Sequence, residues 1–85
     1  MSGAEKRFVY ILCSIREPAR HYVGPTSDVW RGLEWHNAGQ NVHTAKDRPW
    51  GVVVAVEFTD ERMARRFEHY LKSGSGRAFA KRHFS

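Results

Sequence analysis

The run "GVVVAVEFT", residues 51–59, is the feature that most restricts how this chain can fold. It is rich in valine, and its apolar side chains occupy both odd and even positions, which is typical of a strand covered on both faces. We therefore expect this strand in the centre of a sheet. Because both faces must be covered, helices should pack on the sheet in layers.

Two other apolar runs predict the rest of the sheet. The segments "KRFVYILCS", residues 6–14, and "HYVG", residues 21–24, are rich in β-branched and aromatic residues. The irregular connection between them contains Pro18, which suits a loop. The two runs are expected to pair as a hairpin.

One helix and one loop are predicted between the hairpin and the third strand. Ser27 or Asp28 provides an N-cap, and Gly39 lies where a glycine commonly follows a helix end. Residues 40–50, "QNVHTAKDRPW", are polar and basic and contain a proline near their end. That composition favours a surface loop over a helix or strand.

Two more helices are predicted after the third strand. Thr59 or Asp60 caps the start of the first one, and Gly74 lies just beyond its end. The segment "SGRAFAKRHF" predicts a short helix that folds Phe79 and Phe84 back on the core.

The predicted fold class is α/β (α+β), in the order β-β-α-β-α-α. A small three-stranded, mainly antiparallel sheet is flanked by two to three helices. The 85 residues form one domain, with a flexible N-terminal segment at residues 1–6.

The charge of the chain favours a polyanionic partner. Fourteen Lys and Arg residues oppose nine Asp and Glu residues, for a formal charge of +5, which on so small a surface produces a positive field. Cys13 is the only cysteine, so an intramolecular disulfide and a cysteine metal site are excluded. Residues 1–7 lack the apolar core of a signal peptide, and no run approaches the roughly 20 apolar residues of a membrane span. We expect a soluble cytoplasmic protein that does not enter a membrane.

A carboxylate is predicted on the inward side of the helix that follows the third strand. Ala64, Phe67, Glu68 and Leu71 recur at the spacing of one helix face. An unpaired buried charge is costly, so Glu68 should pair with a cation, accept hydrogen bonds or hold a metal. Elsewhere, Tyr10 and Tyr22 fall on the two hairpin strands. Asp28, Gly32 and His36 share one face of the first helix.

The order of these motifs resembles the GIY-YIG nuclease superfamily, in particular its small stand-alone bacterial members. The tripeptide "FVY" at the start of "FVYIL" is separated from "YVG" by the eleven residues Ile11 to His21, and "TSDVWRGLEWHN", a strand and "RFEHYLKSGSG" follow. Together these segments carry the resemblance, which covers residues 7–84. It implies that Tyr10 and Tyr22 are catalytic tyrosines and that Gly24 is structural. It also places His36 at a catalytic position and Glu68 at the metal-binding glutamate.

The resemblance implies a metal-dependent endonuclease that cuts phosphodiester bonds, in DNA more than in RNA. One divalent cation, Mg²⁺ or Mn²⁺, is expected on Glu68, and Tyr10 or His36 is expected to activate a water. The chain is expected to act as a monomer or weak homodimer. Basic side chains of the loop and the later helix are expected to hold the nucleic acid: His43, Lys46, Arg48, Arg65, Arg66 and Lys72.

One position departs from the family pattern. Gly32 stands where the family carries a catalytic arginine, and Arg31 comes one residue early, a rotation of about 100° around a helix. Arg31 can swing toward the site, or another cation can replace it, the candidates being Arg20, Lys46 and Arg48. Otherwise the chain is an impaired nuclease that still binds nucleic acid. A small basic interaction domain with purely structural aromatics is the third interpretation.

Overall fold

A three-stranded antiparallel sheet lies between helices that cover both of its faces. The computed structural model describes residues 5–84, so residues 1–4 of the predicted flexible N-terminus lie outside the described residues. The strand order is β2-β1-β3, and both pairings are antiparallel. The elements in chain order are β1 Phe8–Ser14, β2 His21–Thr26, α1 Val29–Asn37, α2 Val42–Ala45, β3 Trp50–Glu57, α3 Glu61–Leu71 and α4 Gly74–Phe84.

The central strand is β1, so the predicted central position of "GVVVAVEFT" is wrong. This run forms β3 at one edge of the sheet. A register shift at Ile11 and Leu12 leaves Val53 unpaired, so Val52 packs on the α1 face while Val54 packs on the α3–α4 face. The bulge therefore explains why an edge strand reads as apolar on both faces.

The central strand separates two hydrophobic clusters. Val9 and Ile11 point toward α3 and α4, where they pack near Ala64 and Leu71. The predicted return of the last helix to the core is confirmed, because Phe79 and Phe84 join this cluster.

The opposite face of β1 carries the second cluster. Tyr10 and Leu12 pack there with Trp50 of β3 and with Leu33 of α1. Alternate side chains of β1 thus pack on opposite faces of the sheet, one set against α3 and α4 and the other against α1.

Capping residues define the helix ends much as the sequence predicts. Asp28 accepts a hydrogen bond from the Arg31 backbone N–H at 3.0 Å, and Asp60 accepts one from that of Arg62 at 2.9 Å. Gly39 has a φ of 81°, the left-handed conformation expected after α1. Gly74 lies beyond the end of α3, as predicted, and it is also the first residue of α4, since only two residues separate the two helices.

The segment 40–50 is not entirely a loop, which corrects the prediction. Asn41 caps the one-turn helix α2 by accepting a hydrogen bond from the His43 backbone N–H at 2.8 Å. Thr44 within it is 3% exposed, so this short helix reaches the protein interior.

No helix within residues 5–84 is long and apolar enough to cross a membrane.

Candidate active site

Three aromatic rings meet where β1, β2 and α1 come together. Tyr10 on β1 pairs with Gly24 of β2, and Tyr22 of β2 pairs with Leu12. His36 reaches the tyrosines from the last turn of α1. The ring centroids of Tyr22 and His36 are 4.5 Å apart, and that of Tyr10 lies 6.3 Å from Tyr22 and 6.2 Å from His36. The structure thus brings together three of the four residues predicted to be catalytic.

Two glycines leave room for the tyrosine hydroxyl groups. A Cβ atom at position 32 would lie 2.6 Å from the Tyr10 hydroxyl oxygen, and one at position 24 would lie 2.5 Å from that of Tyr22. Such approaches are sterically forbidden, so any side chain at Gly24 or Gly32 would have to displace a tyrosine. This close contact explains why α1 contains Gly32 although glycine costs about 1 kcal/mol relative to alanine.

The His36 ring is held by a partner that the sequence analysis missed. His36 is 2% exposed, and its Nδ1 lies 2.9 Å from the Thr44 hydroxyl oxygen. The Thr44 carbonyl in turn accepts a hydrogen bond from Trp50 Nε1 at 2.9 Å. No local signal marks Thr44, since it lies in a polar segment eight residues beyond the histidine. Only the packing of α2 against α1 and β3 reveals its role.

Burial sets the protonation states of this cluster. It raises the pKa of Tyr10 to about 12, with a smaller contribution from Tyr22. Burial also raises the pKa of Tyr22, while the Lys72 ammonium lowers it and Glu68 raises it. The pKa of His36 is lowered from its usual value by burial. At neutral pH both phenols are protonated and the imidazole is neutral.

The predicted metal-binding glutamate lies beside Tyr22 on the inward side of α3. The Glu68 side chain is 18% exposed, and its Oε2 accepts a hydrogen bond from Lys72 Nζ at 2.7 Å. The charges of both residues act on the Tyr22 hydroxyl. The ion pair expected for a half-buried glutamate is therefore present, next to the aromatic cluster.

The side chains around Glu68 can be compared with the needs of a divalent cation. Among residues 5–84, no group of three or more His, Cys, Asp and Glu side chains is placed to hold a metal. Glu68 nevertheless already holds a cation, the Lys72 ammonium. A single carboxylate of this kind suits Mg²⁺, which keeps several waters and takes phosphate oxygens as ligands. Glu68 thus fits as the lone protein anchor of a hydrated divalent cation.

Arg31 is not brought to the tyrosines. It is exposed and lines a surface depression with Trp30, Glu34 and Asn37 on the outside of α1. Of the other cations considered from the sequence, Arg48 donates from Nε to the Ala45 carbonyl at 2.7 Å. Arg20 and Lys46 are exposed outside the helices and strands. The cation that the structure places beside Tyr22 is Lys72.

The side chains predicted to hold nucleic acid are distributed over two exposed regions. His43, Lys46 and Arg48 lie on and after α2, whereas Arg65, Arg66 and Lys72 lie on and after α3. Arg65 pairs with Glu61 at 3.5 Å, a contact that solvent and salt weaken. All six side chains are exposed, so each is accessible to a polyanion.

Comparison with known proteins decides the family. The family model for the GIY-YIG catalytic domain matches residues 6–82. The chain belongs to the GIY-YIG family. The predicted membership of this superfamily is thereby confirmed, while the match and the role of each site residue stay predictions.

Curated relatives of this GIY-YIG domain are fungal. The structure-specific endonuclease subunit SLX1 of Candida dubliniensis is 45% identical over 71 residues, which is 75% of this chain and 25% of the relative. Its namesake in Talaromyces marneffei is 38% identical over 65 residues, covering 69% of this chain and 17% of the relative. That of Debaryomyces hansenii is 35% identical over 71 residues, covering 75% and 20%. This chain therefore spans a quarter or less of each relative, and these relatives do not point specifically to bacterial stand-alone members.

Proposed function

We propose that this GIY-YIG domain is a metal-dependent endonuclease that hydrolyses phosphodiester bonds in DNA. The observation that carries the proposal is the meeting of Tyr10, Tyr22 and His36 beside the half-buried carboxylate of Glu68. The fungal relatives are named structure-specific endonuclease subunits, which supports branched DNA as the substrate. The basic surface supplies the attraction to a polyanion.

His36 is the proposed proton acceptor. A general base must be unprotonated at the working pH, and the lowered pKa of His36 meets this requirement. Tyr10, with its pKa near 12, is protonated and serves as a hydrogen-bond donor instead. Tyr22 serves as a second donor at the more exposed side of the cluster. Between the two bases predicted from the sequence, the protonation states favour His36.

Glu68 is the residue that would hold the metal, with Mg²⁺ or Mn²⁺ as the proposed ion. When bound, such an ion supplies Lewis-acid stabilisation of charge on the phosphate. The contribution of the chain is to place a carboxylate in a half-buried position beside Tyr22, where the Lys72 ammonium pairs with it at 2.7 Å.

Lys72 is proposed to replace the arginine that the family carries at position 32. Its ammonium lies next to Glu68 and acts on Tyr22, so it can contact a phosphate bound beside that ring. A cation in this position stabilises the charge that develops on the phosphate oxygens during in-line attack. Arg31, on the outside of α1, is left without this role.

A specific observation favours a second candidate function. Gly32 has no guanidinium to offer. It also lies so close to the Tyr10 hydroxyl that no side chain fits at this position unless Tyr10 moves. If Lys72 does not supply the missing charge, the domain is a catalytically impaired module that binds nucleic acid on the same scaffold.

A cleavage assay separates the two candidates. End-labelled DNA in duplex, branched and single-stranded form is incubated with the protein in Mg²⁺, in Mn²⁺ and in EDTA, with Glu68→Ala as the matched control. We expect cleavage that requires the metal and disappears in Glu68→Ala. Binding without cleavage above that control would establish the binding module, and failure to bind at moderate salt would support the plain interaction domain.

Lys72→Met tests the replacement of the arginine, because it removes the charge and keeps most of the side-chain length. We expect kcat to fall at least about tenfold with a smaller change in KM, and Lys72→Arg to recover most of the rate. Arg82→Ala, an exposed α4 substitution outside the site, is the charge-matched control. An unchanged kcat in Lys72→Met would assign the role to another cation.

The assembly state is also a proposal. The curated relatives are named as subunits, which supports a partner chain for this domain. The sequence-based expectation of a monomer or weak homodimer stays a prediction, and sedimentation of the purified chain tests it.

A further inference from the structure

A second concave region lies between the β2 edge of the sheet and α4. It is a cavity of about 810 Å³, here called the α4 groove. Its floor is apolar, because Ile11 and Leu71 are buried and Val23 and Phe84 are half-buried along it. The sequence analysis did not identify this groove, since its lining comes from three strands and two helices.

The rim of the α4 groove is positively charged. Lys72, Arg77 and Lys81 line it with exposed side chains. Among the described residues that line the groove there is no Asp or Glu. An apolar floor below a rim of one charge sign is complementary to a ligand that combines an apolar plane with anionic groups.

The α4 groove is continuous with the candidate active site. Tyr22 lines the groove and also contacts the His36 ring, with 4.5 Å between the ring centroids. Lys72 lines the groove and pairs with Glu68. A strand with a phosphate beside Tyr22 would therefore pass next to the α4 groove.

We infer that the α4 groove binds one unpaired nucleotide of the DNA strand next to the bond that is cut. The inference rests on the proposed nuclease function. The base lies on the apolar floor, and the adjoining phosphate lies on Arg77 and Lys72. A cavity of about 810 Å³ is within the range of about 300–1,000 Å³ that accommodates small ligands.

The inferred nucleotide site predicts that branched DNA is preferred over continuous duplex. A base in a continuous duplex is stacked and paired, so entry into the groove would require it to leave the helix at a cost of a few kcal/mol. A base at a fork or flap is already unpaired and enters without that cost. The groove therefore favours branched DNA over continuous duplex by recognising the unpaired nucleotide.

Binding is measured in EDTA, where no metal-dependent cleavage occurs. Fluorescence anisotropy compares a labelled forked DNA with a continuous duplex of equal nucleotide number, using the whole chain. We expect tighter binding of the fork and an approximately tenfold loss of fork affinity in Arg77→Ala, with little change for the duplex. Arg82→Ala removes the same charge from the same helix outside the groove and is expected to change both affinities by less than about twofold.

A second probe locates the base. A fork with an abasic site at its first unpaired nucleotide is expected to bind the wild type about tenfold more weakly than the intact fork. Ala19→Glu places a carboxylate in the groove from an exposed loop, so it should weaken the intact fork and abolish this difference. Circular dichroism verifies folding, and Arg77→Ala, at an exposed side chain, carries the test by itself if Ala19→Glu does not fold.

Several outcomes would overturn the inference. These are equal affinity of the wild type for fork and duplex, equal losses in Arg77→Ala and Arg82→Ala, or no effect of the abasic site. A homodimer that Arg77→Ala dissociates would assign the groove to a second copy of the chain. Because cleavage is not measured, fork preference without cleavage in metal would reject only the nuclease proposal, whereas cleavage without fork preference would reject only this inference.

Discussion

At the scale of single residues, the site depends on two hydroxyl groups that lie over two glycines. Tyr10 Oη faces Gly32 and Tyr22 Oη faces Gly24. Gly32 therefore has two effects on the molecule. It removes the guanidinium that the family carries at this position, and it lets the buried Tyr10 pack directly against α1.

Gly32→Ala tests this close contact. Alanine favours a helix by about 1 kcal/mol over glycine, but the added Cβ lies 2.6 Å from the Tyr10 hydroxyl oxygen, and overpacking costs about 1–3 kcal/mol. We expect a net loss of about 1 kcal/mol in the free energy of unfolding, measured by urea denaturation.

Two controls isolate the cause. Gly74→Ala, where nothing lies within 4 Å of the added atom, is expected to stabilise by about 0.4–1 kcal/mol. Combining Gly32→Ala with Tyr10→Phe removes the opposing hydroxyl and should recover part of the loss. A stabilised Gly32→Ala would show that the contact does not limit the position.

The pH dependence of cleavage distinguishes His36 from Tyr10 as the base. The His36 ring faces Tyr10 and Tyr22 and the Thr44 hydroxyl, while Glu68 and Lys72 act on Tyr22. Burial lowers the pKa of His36 below 6.5, so the neutral, active form predominates from below pH 6.5 upward. We expect kcat/KM at constant free metal to be level from about pH 6.5 to 9 and to fall only under more acidic conditions. A rate that keeps rising toward pH 10 would instead assign the base to a tyrosine.

At the scale of elements, the position of α1 on the sheet is held by a pair of hydrogen bonds. Asn37 donates from Nδ2 to the Trp50 carbonyl at 3.1 Å, and its Oδ1 accepts from the Trp50 backbone N–H at 2.7 Å. Since Trp50 also donates a hydrogen bond to the Thr44 carbonyl, and the Thr44 hydroxyl contacts His36, this connection links β3 to the proposed proton acceptor.

Asn37→Ala tests the link between the two elements. It removes both hydrogen bonds and leaves half-buried backbone groups of Trp50 without partners, so we expect a loss of about 2 kcal/mol in unfolding free energy. Gln40→Ala, at an exposed neighbouring position, is the control and should change stability by less than about 0.5 kcal/mol. Equal stability of the two variants would show that apolar packing alone holds α1 in place.

At the scale of the whole molecule, the apolar side chains are buried in two clusters, whereas the excess positive charge lies on the surface. The two hydrophobic clusters lie on opposite faces of β1, and the chain carries a net charge of +5. Exposed Lys72, Arg77 and Lys81 line the α4 groove, and Lys72 also pairs with Glu68. The positive field is thus available at the site where a phosphate backbone is proposed to lie.

The salt dependence of DNA binding measures how many of these basic side chains contact phosphates. If Arg65, Arg66, Lys72 and Arg77 each contact one phosphate, a plot of log Kobs against log salt concentration for duplex DNA should have a slope of about −3.6. An uncharged methylphosphonate duplex of the same sequence is the control and should show almost no slope. A flat response of the natural duplex would mean that its binding is not electrostatic.

The sequence by itself determined the elements of this fold except α2, and the residues of its aromatic cluster. Periods of two and 3.6 residues and the capping side chains Asp28 and Asp60 are local, so they can be read without knowing the neighbours in space. Tyr10, Tyr22, His36 and Glu68 were found because their spacing along the chain matches a known order of motifs.

The tertiary structure decided what depends on contacts between distant residues. Strand order is set by pairing, and the bulge at Val53 made an edge strand look central. The contact of Thr44 with His36, the outward position of Arg31 and the α4 groove each arise from segments that packing brings together. Burial and charge proximity are properties of those contacts, which is why the raised pKa values of the tyrosines and the pairing of Lys72 with Glu68 appeared only in the folded molecule.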